Sequence, residues 1–347
     1  MSPDQFFSRQ GHIPRFAKLL EKQSFQKHFR FLNVDEAHHH FNWGLPHFGQ
    51  PIFSTAWSKL DSIRRRLSKD AVCLAVSGTL PPLVKSITVK HLLFKSGLYD
   101  SYDLPLLRSN ITYATLHLDG DSRNFENLRF LIPTDVQDPM LIPKGMIFVD
   151  STKDATSLSE YLNSLLPAKY QVADLIVHYH SFMSEEYLDQ AWKNFEENKC
   201  RIMITTSKLQ CVCLDLSTLS EFYSFSQGVD LPDIMFVIQL GICSNPMDVF
   251  QRFGRAVRNL SLHGFTLLLA EDWAFDPPPD LPITKEKSAK STPLTRRQKT
   301  SKEMFEYVQS KTCLRKFMAA YLGDTGTYGE FRIIRHIAFS LTSRFYL

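Results

Sequence analysis

Short apolar segments alternate with amphipathic segments over most of the 347-residue chain. Apolar runs of strand length are predicted at 30–35, 71–76, 146–149, 175–179, 201–206, 234–240 and 265–269, and alternation also resumes at 111. Helical spacing predicts helices at 13–20, 57–67, 82–97, 153–165, 184–198, 245–258 and 302–322. The run Ala71–Val76 is expected to be a buried strand. Strands that alternate with helices imply parallel sheets.

These elements fall into two blocks, which are separated by a polar stretch near Leu104–Asn110. Residues 1–104 and 111–272 are therefore predicted to form two α/β domains with parallel sheets and a cleft between them. The pattern stops in the remaining region, 273–347. That region is predicted to hold a proline-rich linker, a basic stretch at 284–302 and a short helical appendage.

Composition narrows the class of protein only slightly. A net charge of +4 permits a nucleic-acid partner but does not require one. No apolar run reaches the roughly 18 residues of a membrane-spanning helix, so no membrane association is expected. Six scattered cysteines favour reduced thiols over a disulfide framework. Cys211 and Cys213 lie close together, but there is no second close pair, so no zinc site is expected.

Two acids follow the first predicted strand. Asp35 and Glu36 come directly after it, at the strand's carboxyl end, where open α/β sheets bind ligands. A first carboxylate there can hold the Mg²⁺ of a nucleotide, and a second can orient or deprotonate water. His38 follows on the loop and is able to couple the site to a neighbouring domain. The alternative interpretation is a capped helix start after a strand, and the sequence leaves both open.

An aromatic-rich segment comes next along the chain. It includes Trp43, Phe53 and Trp57, with Gly44 and Gly49 between them. These aromatics are predicted either to stack on unpaired bases or to pack beneath the loop as a small satellite core. The following helix carries three consecutive arginines at 64–66, which favour a solvated face over phosphate contact.

A second cluster of polar residues lies near position 255. Gln251, Arg255 and Arg258 are four and three residues apart, a spacing that predicts one face of one helix. Arginine binds phosphate through two hydrogen bonds and stays charged when desolvated. Two arginines aimed at a γ-phosphate stabilise charge in the transition state. The alternative is a basic surface helix.

Val34–His38 followed by Gln251–Arg258 resembles motifs II and VI of superfamily-two helicases. Four further segments resemble those of the RecQ family of DEAH-box helicases, and the resemblance covers about 1–322. The segments are Ser2–Gln5, Asn42–Gly44 with Phe53–Trp57, Ser77–Thr79, and Gly228–Asp233.

The resemblance implies two RecA-like motor domains, the first incomplete, that use ATP and Mg²⁺ to move 3′ to 5′ on single-stranded DNA and to unwind duplex DNA. It implies that Asp35 holds Mg²⁺, that Glu36 activates water, and that Arg255 and Arg258 reach the γ-phosphate. With the basic stretch, it also implies a nuclear location. The other implied roles are nucleotide or cleft contacts by His38, Gly228, Asp230 and Gln251, and coupling to DNA by Ser77, Thr79, Trp43, Phe53 and Trp57.

Three features depart from the family pattern. None of the 14 glycines is followed by lysine, so the G-x-x-x-x-G-K-[ST] phosphate loop does not occur in this sequence. Residues 208–227 interrupt motif V and are expected to loop out as an insertion. Cys313 resembles the start of a zinc-binding subdomain, whose other cysteine ligands do not follow it.

The expectation is therefore a truncated RecQ-like helicase that contains about half of the first motor domain and hydrolyses ATP weakly. A second hypothesis is a non-catalytic remnant that binds nucleic acid. A third is a gene fragment without a stable fold, because strands missing from the first sheet would leave its edge open.

Overall fold

The computed structural model describes residues 3–7, 13–47, 51–134, 136–171, 174–206, 231–279 and 294–326. These residues form two compact units. Of the described residues, the first unit comprises those up to 107 together with 279, 294–301 and 318–326, and the second comprises those within 108–278 together with 302–317.

The first unit is built around two parallel strands. Its elements are α1 (Arg15–Leu20), α2 (Gln23–Gln26), β1 (Phe31–Val34), α3 (His39–Gly44), a 3-10 turn (Trp57–Lys59), α4 (Leu60–Arg66), β2 (Val72–Ala75) and α5 (Pro82–His91). Strands β1 and β2 pair in register from Phe31 opposite Val72 to Val34 opposite Ala75. One face of this pair packs on a core that includes Leu20, Leu32, Val34, Ile63 and Leu92.

The other face of the pair is exposed, so the expectation that Ala71–Val76 is buried is wrong for alternate residues. Val72 and Leu74 are each more than half exposed, although both are apolar. The reason is that helices of this unit cover only the face that carries Leu32 and Val34.

The second unit contains a six-stranded parallel sheet in the order β3-β8-β7-β4-β6-β5. Its elements are β3 (Ile111–His117), β4 (Gly145–Val149), α6 (Thr152–Ser164), β5 (Ile176–Tyr179), α7 (Glu185–Glu196), β6 (Ile202–Thr206), β7 (Phe236–Leu240), α8 (Pro246–Phe253), β8 (Gly264–Ala270) and α9 (Lys302–Val308). A last helix, α10 (Leu314–Leu322), follows. Of the four inner strands, β4, β6 and β7 are buried along their whole length, as expected for inner strands of a parallel sheet that is covered on both faces.

Side-chain caps start the helices that follow strands β4, β5 and β7. The hydroxyl of Ser151 accepts a hydrogen bond from the amide of Asp154 at 3.2 Å, and that of Ser184 accepts one from Tyr187 at 3.3 Å. Asn245 accepts one from the amide of Asp248 at 3.1 Å. Such caps satisfy amides that have no partner inside the helix. They fix where each helix begins at the carboxyl edge of the sheet.

The helices predicted at 82–97 and 302–322 differ in extent from those in the structure. Helix α5 stops at His91 and not near Gly97, because Leu93 takes a left-handed conformation with φ of 57°. The helix predicted at 302–322 is two helices, because the chain turns between 309 and 313. In that turn the amide of Thr312 donates to the hydroxyl of Ser310 at 3.3 Å.

None of the described helices is long and apolar enough to cross a membrane. Four cysteines fall in the described ranges, and each is a free thiol: Cys73, Cys200, Cys243 and Cys313. Within those same ranges, no group of three or more His, Cys, Asp or Glu residues is arranged to hold a metal ion.

Candidate functional site

The acid loop of the first unit, Asp35–His38, follows β1 directly. Its path is fixed by the amide of Ala37, which donates to the carbonyl of Val76 at 2.9 Å. The amide of Glu36 donates to the Asp35 carboxylate at 2.9 Å, and Glu36 has a left-handed φ of 47°. The structure therefore places both acids at the carboxyl end of the β1–β2 pair. The N-cap of α3 is His38, which makes no capping bond through its side chain, so neither acid occupies the capping position.

His38 connects the acid loop to the loop after β2. Its Nδ1 lies 2.8 Å from the Ser77 hydroxyl and 3.2 Å from the Glu36 carboxylate. Ser77 donates its own hydrogen to the carbonyl of Thr79 at 3.0 Å, so its oxygen is left to accept one from His38. This assigns the hydrogen to Nδ1 of a fully buried imidazole. One ring thus lies within 3.2 Å of both the Glu36 carboxylate and the Ser77 hydroxyl.

The structure brings the three predicted aromatics together, but in different environments. Trp57 is only 7% exposed and packs edge-on against Trp43, with ring centres 5.8 Å apart. Trp43 also stacks on His39 at 3.6 Å. Phe53 is 57% exposed and lies 5.8 Å from Trp43. The satellite-core interpretation therefore describes Trp57, whereas Phe53 presents its ring to solvent.

The arginines at 64–66 are partly committed to the fold. Arg64 donates to the carbonyl of Leu92 and lies 4.4 Å from the centre of the Phe94 ring. Arg65 pairs with Asp61 at 3.3 Å. Arg65 and Arg66 are exposed, as expected for a solvated face, whereas Arg64 is half-buried.

Two buried histidines beside the acid loop favour the neutral form. Burial, reinforced by nearby His38, lowers the pKa of His39 well below its ordinary value of 6.5. Burial also lowers the pKa of His40, against an opposing hydrogen bond from its Nδ1 to the carbonyl of Trp57 at 2.9 Å. Protonation of either ring therefore opposes folding of this unit.

We expect the stability of the first unit to fall as the pH drops below about 6.5. Above that pH the histidines are neutral in both states; below it the unfolded chain binds protons that the folded unit resists. His39→Phe removes one such group and keeps a ring beside Trp43, so it should reduce the loss of stability between pH 7 and pH 5. Urea titrations at several pH values measure this. His28→Phe, at an exposed position, is the control, and equal pH dependence in wild type and His39→Phe would contradict the assignment.

The arginine cluster of the second unit is not on one helix face, so that prediction is wrong. Helix α8 ends at Phe253, and Gln251 lies within it, but Arg255 and Arg258 lie beyond it. The helix ends because the amide of Val257 donates to the carbonyl of Ile234 at 2.8 Å, which draws the chain away toward β7. Arg255 is half-buried and Arg258 is exposed.

Arg108 and Asn110 fasten this arginine-bearing turn, 254–258, and sequence reasoning missed both. The guanidinium of Arg108 donates to the carbonyls of Gly254 at 2.6 Å and Val257 at 3.0 Å. Asn110 donates to the carbonyls of Val257, Asn259 and Leu262. Burial lowers the pKa of Arg108. No sequence pattern links 108–110 to a turn about 150 residues later.

Arg252 is the third arginine of the cluster, and it was also missed. It is 8% exposed and donates to the amide oxygen of Gln239 and, at 3.2 Å, to the sulfur of Cys243. It also lies over the ring of Phe148 at 5.4 Å. Burial alone would lower its pKa, but Cys243, Asp150 and Asp248 more than offset this and raise it. Arg252 therefore ties α8 to the carboxyl ends of β4 and β7.

Gly228 and Asp230 lie outside the described residues, as does the predicted insertion 208–227. Asp233, three residues beyond Asp230, is described and pairs with the buried ammonium of Lys144 at 3.0 Å.

Comparison with known proteins indicates the class of protein to which this chain is similar. Residues 140–260 match the family described as Helicase conserved C-terminal domain. The solved structure of S. cerevisiae Dbp5 bound to RNA and ADP BeF3 has a TM-score of 0.54 at 14% identity, over 96% of this chain and 67% of that one. The fold is thus the parallel-sheet α/β fold of RecA-like helicase domains.

Curated relatives are similar over longer stretches at low identity. The chain is 21% identical over 296 residues to ATP-dependent DNA helicase RecQ of Bacillus subtilis, covering 84% of this chain and 42% of that protein. It is 24% identical over 260 residues to ATP-dependent helicase wrn-1 of Caenorhabditis elegans, covering 75% and 21%. It is also 21% identical over 249 residues to ATP-dependent RNA helicase FAL1 of Chaetomium globosum, covering 72% and 53%.

Together these similarities support a superfamily-two helicase. They include a DNA helicase and an RNA helicase alike, so both kinds of nucleic acid are represented among the relatives. The chain spans between about a fifth and a half of the length of these three curated relatives.

Proposed function

We propose that this chain is part of a nucleic-acid-dependent ATPase of the RecQ type, acting on single-stranded and duplex DNA in the 3′ to 5′ direction. The observation that carries the proposal is the buried link from Glu36 through His38 to Ser77. In this proposal the Glu36 carboxylate activates water and the loop that carries Ser77 senses nucleic acid. His38 contacts both residues and so connects the two. The match to a helicase family over 140–260 supports the same class.

The acid loop fits a magnesium ion bound to phosphate. Mg²⁺ takes oxygen ligands and is commonly held by one or two carboxylates together with substrate phosphates. Asp35 presents an exposed carboxylate at a strand end, and Glu36 is half-buried beside it. When bound, Mg²⁺ would neutralise charge developing on the phosphates. Asp35 would hold it, and Glu36 would orient and deprotonate water.

The residues that could bind the phosphates of ATP form a less complete site than the acid loop forms for Mg²⁺. The turn 254–258 offers the guanidinium groups of Arg255 and Arg258, which suit phosphate oxygens. No glycine in the sequence is followed by lysine, so the usual loop of backbone amides and lysine is not supplied by this sequence. This observation favours a second candidate, a nucleic-acid-binding protein with little hydrolysis. The relatives that are RNA helicases make RNA the competing ligand.

Phe53 provides the test of nucleic-acid binding in the first unit. Phe53→Ala should weaken binding of a labelled single-stranded oligonucleotide by roughly 1–3 kcal/mol, because a base loses its stacking partner. The slope of log affinity against log salt should not change, since no charge is removed. Polarisation titrations with DNA and RNA of the same sequence measure both quantities.

Leu83→Ala is the matched control, because Leu83 is 66% exposed on α5 of the same unit and offers no ring. Trp57→Ala is less informative, since Trp57 is buried and its loss would destabilise the core. Equal affinity of wild type and Phe53→Ala for the oligonucleotide would show that the aromatic segment is not part of the binding surface. Tighter binding of RNA than of DNA would replace the DNA proposal with an RNA one.

A further inference from the structure

The first unit carries an apolar surface that its described residues leave open. This surface is the outer face of the β1–β2 pair, and it presents the side chains of Phe31, Asn33, Val72, Leu74 and Val76. The apolar members Phe31, Val72, Leu74 and Val76 are 71%, 55%, 54% and 45% exposed. We call these five residues the open sheet face.

The composition of the open sheet face suits burial. Parallel strands are found almost only where both faces of the sheet are covered. No residue of the run Ala71–Val76 is charged, and none carries an amide or a hydroxyl group. Contiguous exposed apolar patches mark sites of interaction, so this face is suited to contact with another molecule.

Asn33 limits which molecule that is. It is exposed in the middle of the open sheet face, opposite Leu74 in the pairing. Its side-chain amide holds two donors and an acceptor, and a wholly apolar occupant would bury them without partners, at a cost in free energy. A second copy of the chain brings an identical amide, and two such amides can donate to each other. A single asparagine in an otherwise apolar interface is a device that fixes register between identical chains.

We propose that the open sheet face is the contact surface of a symmetric dimer of this chain. In a dimer with two-fold symmetry the same patch is used on both copies. A two-fold axis that lies between the two faces and perpendicular to their strands sets Asn33 opposite the partner's Asn33. The same axis sets Leu74 opposite the partner's Leu74 and Val72 opposite the partner's Val76. The two sheets then pack face to face with antiparallel strands, about 10 Å apart.

This antiparallel arrangement also brings opposite charges together. Arg30, Lys69 and Asp70 are exposed just before the two strands, so basic residues outnumber acids at the amino end of the pair. Asp35 and Glu36 follow β1 at the carboxyl end. Antiparallel packing places each acidic end over the partner's basic end. Parallel packing would bring like charges together, so charge selects the antiparallel dimer.

The interface is small, which sets the strength of the expected dimer. An interface of standard size involves about 20–30 residues on each side, whereas the open sheet face has five. Interfaces of standard size have dissociation constants from μM to pM. The dimer is therefore expected to be reversible, with a dissociation constant above about 1 μM.

Sedimentation equilibrium of the full chain measures this association. Between about 1 and 200 μM, the weight-average mass should rise from that of a monomer toward twice that value, as mass action requires. Leu74→Asp buries a charge in the interface and should weaken the association at least about tenfold. Leu83→Asp adds the same charge at an exposed position of α5, outside the open sheet face, and should leave the association unchanged. A wild type that stays monomeric over this range, or equal association of the two variants, would overturn the proposal.

Photo-crosslinking tests the register of the two copies independently. A chain with Val76→p-benzoylphenylalanine is mixed with isotope-labelled wild type, so that a crosslink between copies carries one labelled peptide. The expected attachment is at or beside Val72 of the labelled copy, because the two-fold axis sets these two positions opposite each other. The same replacement at Leu83 should give at least about threefold less crosslink between copies. Attachment mainly beside Val76 of the labelled copy, attachment to another surface, or equal yields from the two positions would contradict the proposed dimer.

Discussion

The purified chain is expected to hydrolyse ATP about a thousandfold more slowly than a superfamily-two relative that carries a phosphate loop, a difference of roughly 4 kcal/mol in the activation free energy. In phosphoryl transfer, positioning and charge stabilisation supply almost all of the catalysis. Asp35 and Glu36 offer one part of that arrangement, and the turn 254–258 another. The amides and lysine of a phosphate loop, which hold the β- and γ-phosphates, do not occur in the sequence.

The measurement is phosphate release by the full chain with and without single-stranded DNA. Glu36→Gln should remove any residual turnover, and Glu21→Gln, at an exposed position at the end of α1, should leave it unchanged. This pair separates hydrolysis at the acid loop from a contaminating ATPase. DNA-stimulated turnover on the order of 10 per second would contradict the prediction, and turnover equal in the two variants would remove Glu36 from the mechanism.

The strands and most helix starts of the second unit were predictable, because local signals and tertiary packing agree there. Strand β6 begins with the apolar run Ile202–Ile204 and is buried along its whole length as an inner strand. Helix α7 was predicted to start at Ser184, whose hydroxyl does cap it. In these places a residue's neighbours in sequence already determine its environment.

Helix ends and the arginine cluster were not predictable, because distant residues decide them. The spacing of Gln251, Arg255 and Arg258 fits a continuous helix, yet the carbonyl of Ile234 captures the amide of Val257 and ends it. Arg252, between them, has the same type of side chain but is buried against Gln239 and Cys243. A single sequence does not reveal which arginine of such a group faces inward.

The prediction for the first unit was wrong for a different reason. An uninterrupted apolar run such as Ala71–Val76 suits a strand buried on both faces, and the structure supplies cover on one face only. The pattern of apolar residues predicted the strand correctly, but it did not predict which faces of the strand other elements cover. Likewise, the aromatic segment allowed both interpretations, since nothing in the sequence distinguishes buried Trp57 from exposed Phe53.

Arg252→Ala is expected to lower the free energy of unfolding of the second unit by about 3 kcal/mol or more. The substitution removes a buried charged group and leaves the amide oxygen of Gln239 without its donor. A buried acceptor that is left without its donor costs about 1–3 kcal/mol, because it stays desolvated, and removal of a large buried side chain adds a cavity cost. The packing of the guanidinium over Phe148 is lost as well.

Arg258→Ala is the matched control, since Arg258 lies six residues further on at an exposed position. Its loss should change the same free energy by less than about 1 kcal/mol. Urea unfolding, followed by hydrogen exchange at the amides of β4 and β7, measures the free energy of unfolding of the second unit separately from that of the first. Equal destabilisation by the two alanine substitutions would mean that Arg252 does not hold α8 to the sheet. The proposed phosphate role of Arg258 would, in contrast, appear as weakened nucleotide binding in a protein of nearly unchanged stability.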